Sequence, residues 1–141
     1  MSKLGRYSAD RKKVEAVTAT KSIGAAQCGT IFTVTEAGTA IVLTLPTVGD
    51  AGAGWWCRFV LIANAGSTTN VTIDQSTSDT ANIFLAQTNI DGANVQLAGD
   101  GVVFDTSESV NGDWGEIWTD GNKWYGNFFS SVASGLDQYD A

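Results

Sequence analysis

The stretch "EIWTDGNKWYGNFF", Glu116 to Phe129, places Asp120-Gly121 between two aromatic-rich runs close to the end of the sequence. Alternation of apolar and polar residues marks a half-buried strand, and Asp-Gly between two such runs is a strong hairpin signal. Two registers are open. A two-residue type I′ turn pairs Thr119 with Asn122, which sets Ile117 opposite Trp124, Glu116 opposite Tyr125 and Trp118 opposite Lys123. A three-residue loop instead pairs Trp118 with Trp124 and Trp114 with Phe128, an aromatic ladder. The cluster reads mainly as a closing hairpin whose inner aromatics fill a core, with Trp118 and Tyr125 the two residues left for a partner.

Working back from this hairpin, short runs of the same kind recur. "VEAVTAT" (Val14–Thr20) alternates, and "TIFTVT" (Thr30–Thr35) and "AIVLTLP" (Ala40–Pro46) flank "EAGT", a loop of hairpin length. Trp55 to Ala63 is apolar at nearly every position except Arg58, as in a central strand covered on both sides. "NVTID" (Asn70–Asp74) reads as its hairpin partner. Ile83 to Leu97 divides into "IFLA" and "NVQLA" around "IDGAN", and "GDGVVFDT" enters a further strand through a glycine turn. The end, "SSVASGLDQYDA", loses periodicity and reads as a loosely ordered terminus or a short docking strand.

These signals predict an all-β, single-domain β-sandwich or jelly-roll-like barrel of about eight to ten short antiparallel strands. The predicted boundaries are a basic arm over residues 1–13, the sandwich over 14–129 and a loose C-terminal tail over 130–141. The totals agree: 141 residues, 43% hydrophobic and 16% charged, with 16 Gly and a single Pro. A chain of this length removes roughly 68–70% of its unfolded surface from water on folding.

The net charge of −7 conceals an asymmetry. Residues 1–21 hold Lys3, Arg6, Arg11, Lys12, Lys13 and Lys21 against Asp10 and Glu15, whereas the remaining 120 residues keep only Arg58 and Lys123 against thirteen acidic side chains. A basic arm thus precedes an acidic body that would repel free nucleic acid. The arm is either a docking segment or a solubilising tail. The start lacks the apolar core of a signal peptide and no run approaches the ~20 apolar residues of a membrane span, so a chain made in the cytoplasm with no membrane partner is expected.

Catalytic chemistry finds little material. There is no His, which excludes Ser-His-Asp and Cys-His arrangements and removes the commonest metal ligand. Cys28 and Cys57 lack metal-ligand spacing and read as buried, reduced thiols, with a disulfide dependent on whether their strands are neighbours. Arg58 beside Cys57 points to the opposite face and does not activate it. Asp91, Asp100, Asp105, Glu108, Asp113 and Glu116 supply carboxylates of the kind a glycosidase uses, but each falls in or beside a turn where solvated Asp and Glu are ordinary. "DGANVQLAGDG" lacks the alternating oxygens and closing Glu of a calcium loop, and "GDAGAG" lacks the Lys of a phosphate loop. The expectation is no catalytic residue, no metal and no cofactor.

The basic start at Arg6–Lys13, C-G-T-x-F at Cys28–Phe32, L-P at Leu45–Pro46, "GAGWWCRFVL" and W-x-E-I-W-x-D-G-x-x-W-Y at Trp114–Tyr125 cover most of the chain. Together they resemble the capsid decoration (cement or head-accessory) proteins of tailed phages of marine cyanobacteria. The resemblance implies a non-enzymatic virion protein on the capsid exterior, a homotrimer that binds the assembled major capsid protein and stabilises the shell. Arg6, Tyr7, Arg11, Lys12, Lys13, Trp118 and Tyr125 are the candidate partner-binding residues. Similar "LP…G" and "DG-x-x-WY" patterns recur in phage tail-fibre modules, so the alternative is a receptor-binding module that recognises host surface glycan through aromatic side chains.

Overall fold

The computed structural model describes residues 11–63, 69–79 and 84–140; Arg6 and Tyr7 lie outside them. Among the described residues twelve strands form: β1 (Lys13–Val17), β2 (Lys21–Ser22), β3 (Thr30–Thr35), β4 (Ile41–Thr44), β5 (Trp56–Ala63) and β6 (Val71–Asp74), then β7 (Phe84–Ile90), β8 (Ala93–Gly99), β9 (Gly101–Phe104), β10 (Trp114–Thr119), β11 (Trp124–Ser130) and β12 (Leu136–Tyr139). They build a seven-stranded sheet in the order β1-β3-β5-β10-β11-β7-β8 and a five-stranded sheet in the order β12-β9-β6-β4-β2. The chain is nearly all β, consistent with a sandwich.

Both sheets are mixed, which corrects the expectation of antiparallel strands. From β1 to β6 the chain changes sheet at every connection, so it reverses twice before it returns to the same sheet. The returning strand therefore runs parallel to the one it joins, as in β1–β3, β3–β5, β2–β4 and β4–β6. For the same reason "EAGT" is not a hairpin loop, because β3 and β4 lie in different sheets, and β6 pairs with β4 and not with β5. Only after β7 does the chain make hairpins, β7–β8 and β10–β11.

Alternating side chains meet between the sheets. Phe32, Val34, Cys57, Phe59, Leu61, Ile117, Trp124 and Phe128 point inward from the larger sheet, and Ile41, Leu43, Val71, Ile73, Val102 and Phe104 from the smaller one. Phe32 stacks on Phe59 with centroids 5.5 Å apart, and Phe104 meets Phe128 across the gap at 5.9 Å. Trp55 is buried, donates Nε1–H to the Ala25 carbonyl at 2.8 Å and meets Trp124 edge-on at 5.4 Å. Burying an aromatic of this size removes ~150–250 Å² from water, so these rings dominate the core.

β5 is central within its sheet but buried on one side only, with burial alternating from Trp56 onward. The reading of a strand covered on both faces is corrected: Trp56, Arg58, Val60 and Ile62 look outward. Nor is the end of the chain loose. Leu136 is buried and β12 pairs with β9 from Leu136↔Phe104 to Tyr139↔Gly101, so the C-terminal segment is a docking strand. "TVGDAGAG" contains a one-turn helix, α1 (Val48–Ala51), capped by the Thr47 hydroxyl accepting from the Asp50 amide at 3.0 Å.

Candidate functional site

The β10–β11 hairpin follows neither register open to the sequence. Its ladder runs Trp114↔Phe129, Gly115↔Phe128, Glu116↔Asn127, Ile117↔Gly126, Trp118↔Tyr125 and Thr119↔Trp124, leaving a four-residue loop, Asp120–Lys123. A type I′ turn needs positive φ at both central residues, and here Gly121 has it, at +93°, while Asp120 does not. The Asp120 carboxylate decides the outcome. Its Oδ1 accepts from the amides of Asn122 at 2.8 Å and Lys123 at 2.9 Å, and the Thr119 hydroxyl accepts from Gly121 at 2.9 Å.

This register turns Ile117, Thr119, Trp124 and Phe128 to the core and Trp114, Glu116, Trp118, Tyr125, Asn127 and Phe129 to the open face. Ile117 and Trp124 are core as expected, although they are not opposite each other. Trp118, 43% exposed, stacks on Tyr125 with centroids 4.6 Å apart and 23° between planes. Tyr125 in turn donates its hydroxyl to Asp120 Oδ2 at 3.2 Å, tying the ring pair to the loop. The backbone amides of Lys123 and Asn122 hold the Asp120 carboxyl below the usual carboxylate range. Desolvation, then the Asp120 charge, push the Tyr125 phenol above its ordinary value.

Across neighbouring strands the outward side chains fall in register rows. One row is Trp56↔Trp118↔Tyr125↔Leu85, the next Arg58↔Glu116↔Asn127↔Gln87↔Gln96, and the third Val60↔Trp114↔Phe129↔Asn89↔Asn94. Arg58 donates to Glu116 Oε2 from Nη2 at 2.6 Å and from Nε at 3.1 Å, and its guanidinium lies 5.2 Å from the Trp114 ring. Arg58 is thus engaged on the face opposite Cys57, as adjacent positions on a strand require. Two shallow grooves flank the amide row. One of about 340 Å³ is lined by Leu85, Gln87, Gln96, Trp118, Tyr125 and Asn127. The other, about 230 Å³, lies beside Trp114 and Phe129.

Among the described residues of the candidate arm, Lys12 meets this face. Lys13 opens β1, the edge strand of the larger sheet, and Lys12 carries its ammonium 4.9 Å over the Trp56 ring. Trp56 pairs with Trp118, so Lys12 and the Trp118–Tyr125 pair stand in one row, which no sequence spacing between residues this far apart could disclose. Arg11, Lys12 and Lys13 are exposed and, among the described residues, in no ion pair. Arg6 and Tyr7 are outside the described residues.

Two expectations about polar groups change, and a third group escaped notice. Asp113 is buried, not solvated: its carboxylate accepts from the Val110 amide at 3.1 Å, the Ser130 hydroxyl at 2.9 Å and the Ser131 amide at 3.2 Å. Glu36, unremarked in the sequence, is 1% exposed and accepts from the Gly38 amide and from the Thr69 hydroxyl at 2.6 Å. Cys28 is exposed while Cys57 is buried, and both are free thiols. Burial, with Cys28 and Glu116 adding to it, pushes the Cys57 thiol well up. Among the described residues no group of three or more His, Cys, Asp or Glu is placed to hold a metal ion.

Compared with known proteins, the chain matches no protein-family profile, no curated protein and no solved structure.

Proposed function

We propose that the chain is a non-enzymatic virion structural protein, a homotrimeric capsid decoration protein that binds the assembled major capsid protein on the shell exterior and stabilises it. The observation that carries this reading is the open edge of the larger sheet. Among the described residues β1 pairs with β3 on one side alone, Val14 is 64% exposed there, and Arg11, Lys12 and Lys13 lead into it. An unpaired edge offers a row of backbone donors and acceptors to an incoming strand, and apolar Val14 adds buried area once covered. The cations steer and orient that encounter on an acidic neighbour, which a body of thirteen acidic residues against two cations could not do itself. The sequence resemblance supplies the identity of the partner; the edge supplies the means.

Co-sedimentation of the purified protein with mature phage shells tests the reading. The wild-type protein is expected to pellet with shells, and a variant carrying Arg11→Glu, Lys12→Glu and Lys13→Glu to stay in solution at physiological salt while keeping its circular-dichroism spectrum. Wild-type protein left wholly in the supernatant sinks the proposal.

A further inference from the structure

We infer that the groove beside Trp118 and Tyr125 is a binding site for a neutral carbohydrate chain, an inference that stands apart from the capsid reading and uses a different part of the sheet. A sugar ring presents an apolar face of C–H groups and a rim of hydroxyls, so its site needs an aromatic wall next to groups that both donate and accept hydrogen bonds. The groove has both. Trp118 and Tyr125 form the wall, already stacked at 4.6 Å and anchored through the Tyr125 hydroxyl to Asp120, so little ordering remains when a ligand arrives.

The other side is the amide row. Asn127, Gln87 and Gln96 are exposed on three adjacent strands, in register, about 4.8 Å from one strand to the next. Among the described residues none of the three side chains has a hydrogen-bond partner. The neighbouring row behaves differently: Asn89 donates to Asn94 at 3.1 Å, so those amides satisfy each other. Three exposed amides in line, each with donors and an acceptor not engaged by a described protein group, suit a polyhydroxylated chain laid across the strands.

Charge then narrows the class. Among the described residues no Lys, Arg, Asp or Glu lines the groove; Asp120 at its rim is engaged by the Tyr125 hydroxyl at 3.2 Å, and the charges in the amide row, Arg58 and Glu116, neutralise each other at 2.6 Å. A sulfated glycan, a phosphate or a nucleic acid would need cations here, and a basic ligand would need carboxylates. The second groove, beside Trp114 and Phe129 on the far side of the same amides, gives an extended chain a parallel track.

The test is calorimetric titration of the full chain with neutral oligosaccharides of glucose, mannose and N-acetylglucosamine at millimolar concentration. At least one is expected to bind. Trp118→Ala, and separately Gln87→Ala with Asn127→Ala, should each weaken it by about tenfold or more. These positions are on the surface, so circular dichroism should report an unchanged fold. A β1-edge variant that spares Lys12, Arg11→Glu with Lys13→Glu, should bind sugar as the wild type does, which separates failure of this site from failure of the capsid reading. No binding by any of the sugars, binding indifferent to Trp118→Ala, or binding of heparin alone would overturn the inference. So would sedimentation equilibrium showing that Trp118→Ala abolishes self-association without touching sugar affinity, since the groove would then be an interface between copies.

Discussion

Trp118 and Tyr125 face each other across the β10–β11 ladder with their rings stacked at 4.6 Å, and the Tyr125 hydroxyl reaches Asp120 in the loop that joins their strands. One carboxylate therefore governs both the loop conformation and the environment of the phenol. Desolvation, then the Asp120 charge and its hydrogen bond, raise the Tyr125 pKa, so the neutral phenol is favoured and this contribution is lost as pH rises through the folded-state value. Asp120→Asn is expected to move ionisation of Tyr125 to lower pH. Ultraviolet absorbance titration, with Tyr125→Phe to assign the signal among three tyrosines, reads the shift. An unmoved titration would contradict the assigned contact.

The Phe128 ring occupies the space above Gly115 and Gly126. A Cβ at Gly115 would lie 2.1 Å from the ring and one at Gly126 2.7 Å. Gly115→Ala should cost about 1–3 kcal/mol of unfolding free energy, because the ring must leave its place in the core. Gly24→Ala, where nothing lies within 4 Å, is the control, expected within about 0.5 kcal/mol of wild type. Urea unfolding of the two variants distinguishes them.

Asp113 holds the loop before β10 against the end of β11 through Val110, Ser130 and Ser131. Asp113→Ala leaves the Val110 and Ser131 amides without this acceptor and the Ser130 hydroxyl with the longer bond to the Val132 carbonyl, at a cost of about 1–3 kcal/mol. Asp113→Asn keeps one acceptor oxygen and should lose less. Thermal melts that rank the alanine variant no lower than the asparagine variant would contradict the arrangement.

Burial, with the Asp100 charge added, raises the Asp74 carboxyl above its ordinary range. The folded state then binds the proton more tightly than the unfolded state, so this group's contribution to stability falls as pH rises through the carboxylate range. Asp74→Asn is expected to raise Tm at neutral pH, with the gain vanishing below that range, where Asp74 is protonated in both states. A gain independent of pH would refute the electrostatic cause.

The alternation that assigns side chains to the core or the open face was legible in the hairpin, as at Ile117 and Trp118, but not along β5, whose nearly unbroken apolar run read as covered on both sides although Trp56, Val60 and Ile62 face outward. Pairing was not legible, because β1 to β6 find their neighbours by crossing between sheets, and no local signal records which sheet a strand joins. Three Asp-Gly dipeptides show why. Asp91-Gly92 has positive φ at both residues, +48° and +81°, and joins Ile90 to Ala93 as a two-residue turn. Asp100-Gly101 carries the chain from one sheet to the other, where a Cβ at Gly101 would lie 2.0 Å from the Ile73 carbonyl oxygen. Asp120-Gly121 opens a four-residue loop set by the Asp120 side chain. The dipeptide is the same, and the strands on either side decide what it does. Trp118 and Tyr125 were identifiable as outward residues, whereas Asn127, Gln87 and Gln96 became a row only when β7, β8 and β11 came into register.

The most direct test of the proposed function is electron cryomicroscopy of phage shells incubated with the protein. A decoration protein docked through its β1 edge gives density for the sandwich on the shell exterior, with residues 11–14 against the capsid subunits and the Trp118–Tyr125 face turned outward. Bare shells at saturating protein, or attachment with the β1 edge pointing into solvent, would contradict the proposal.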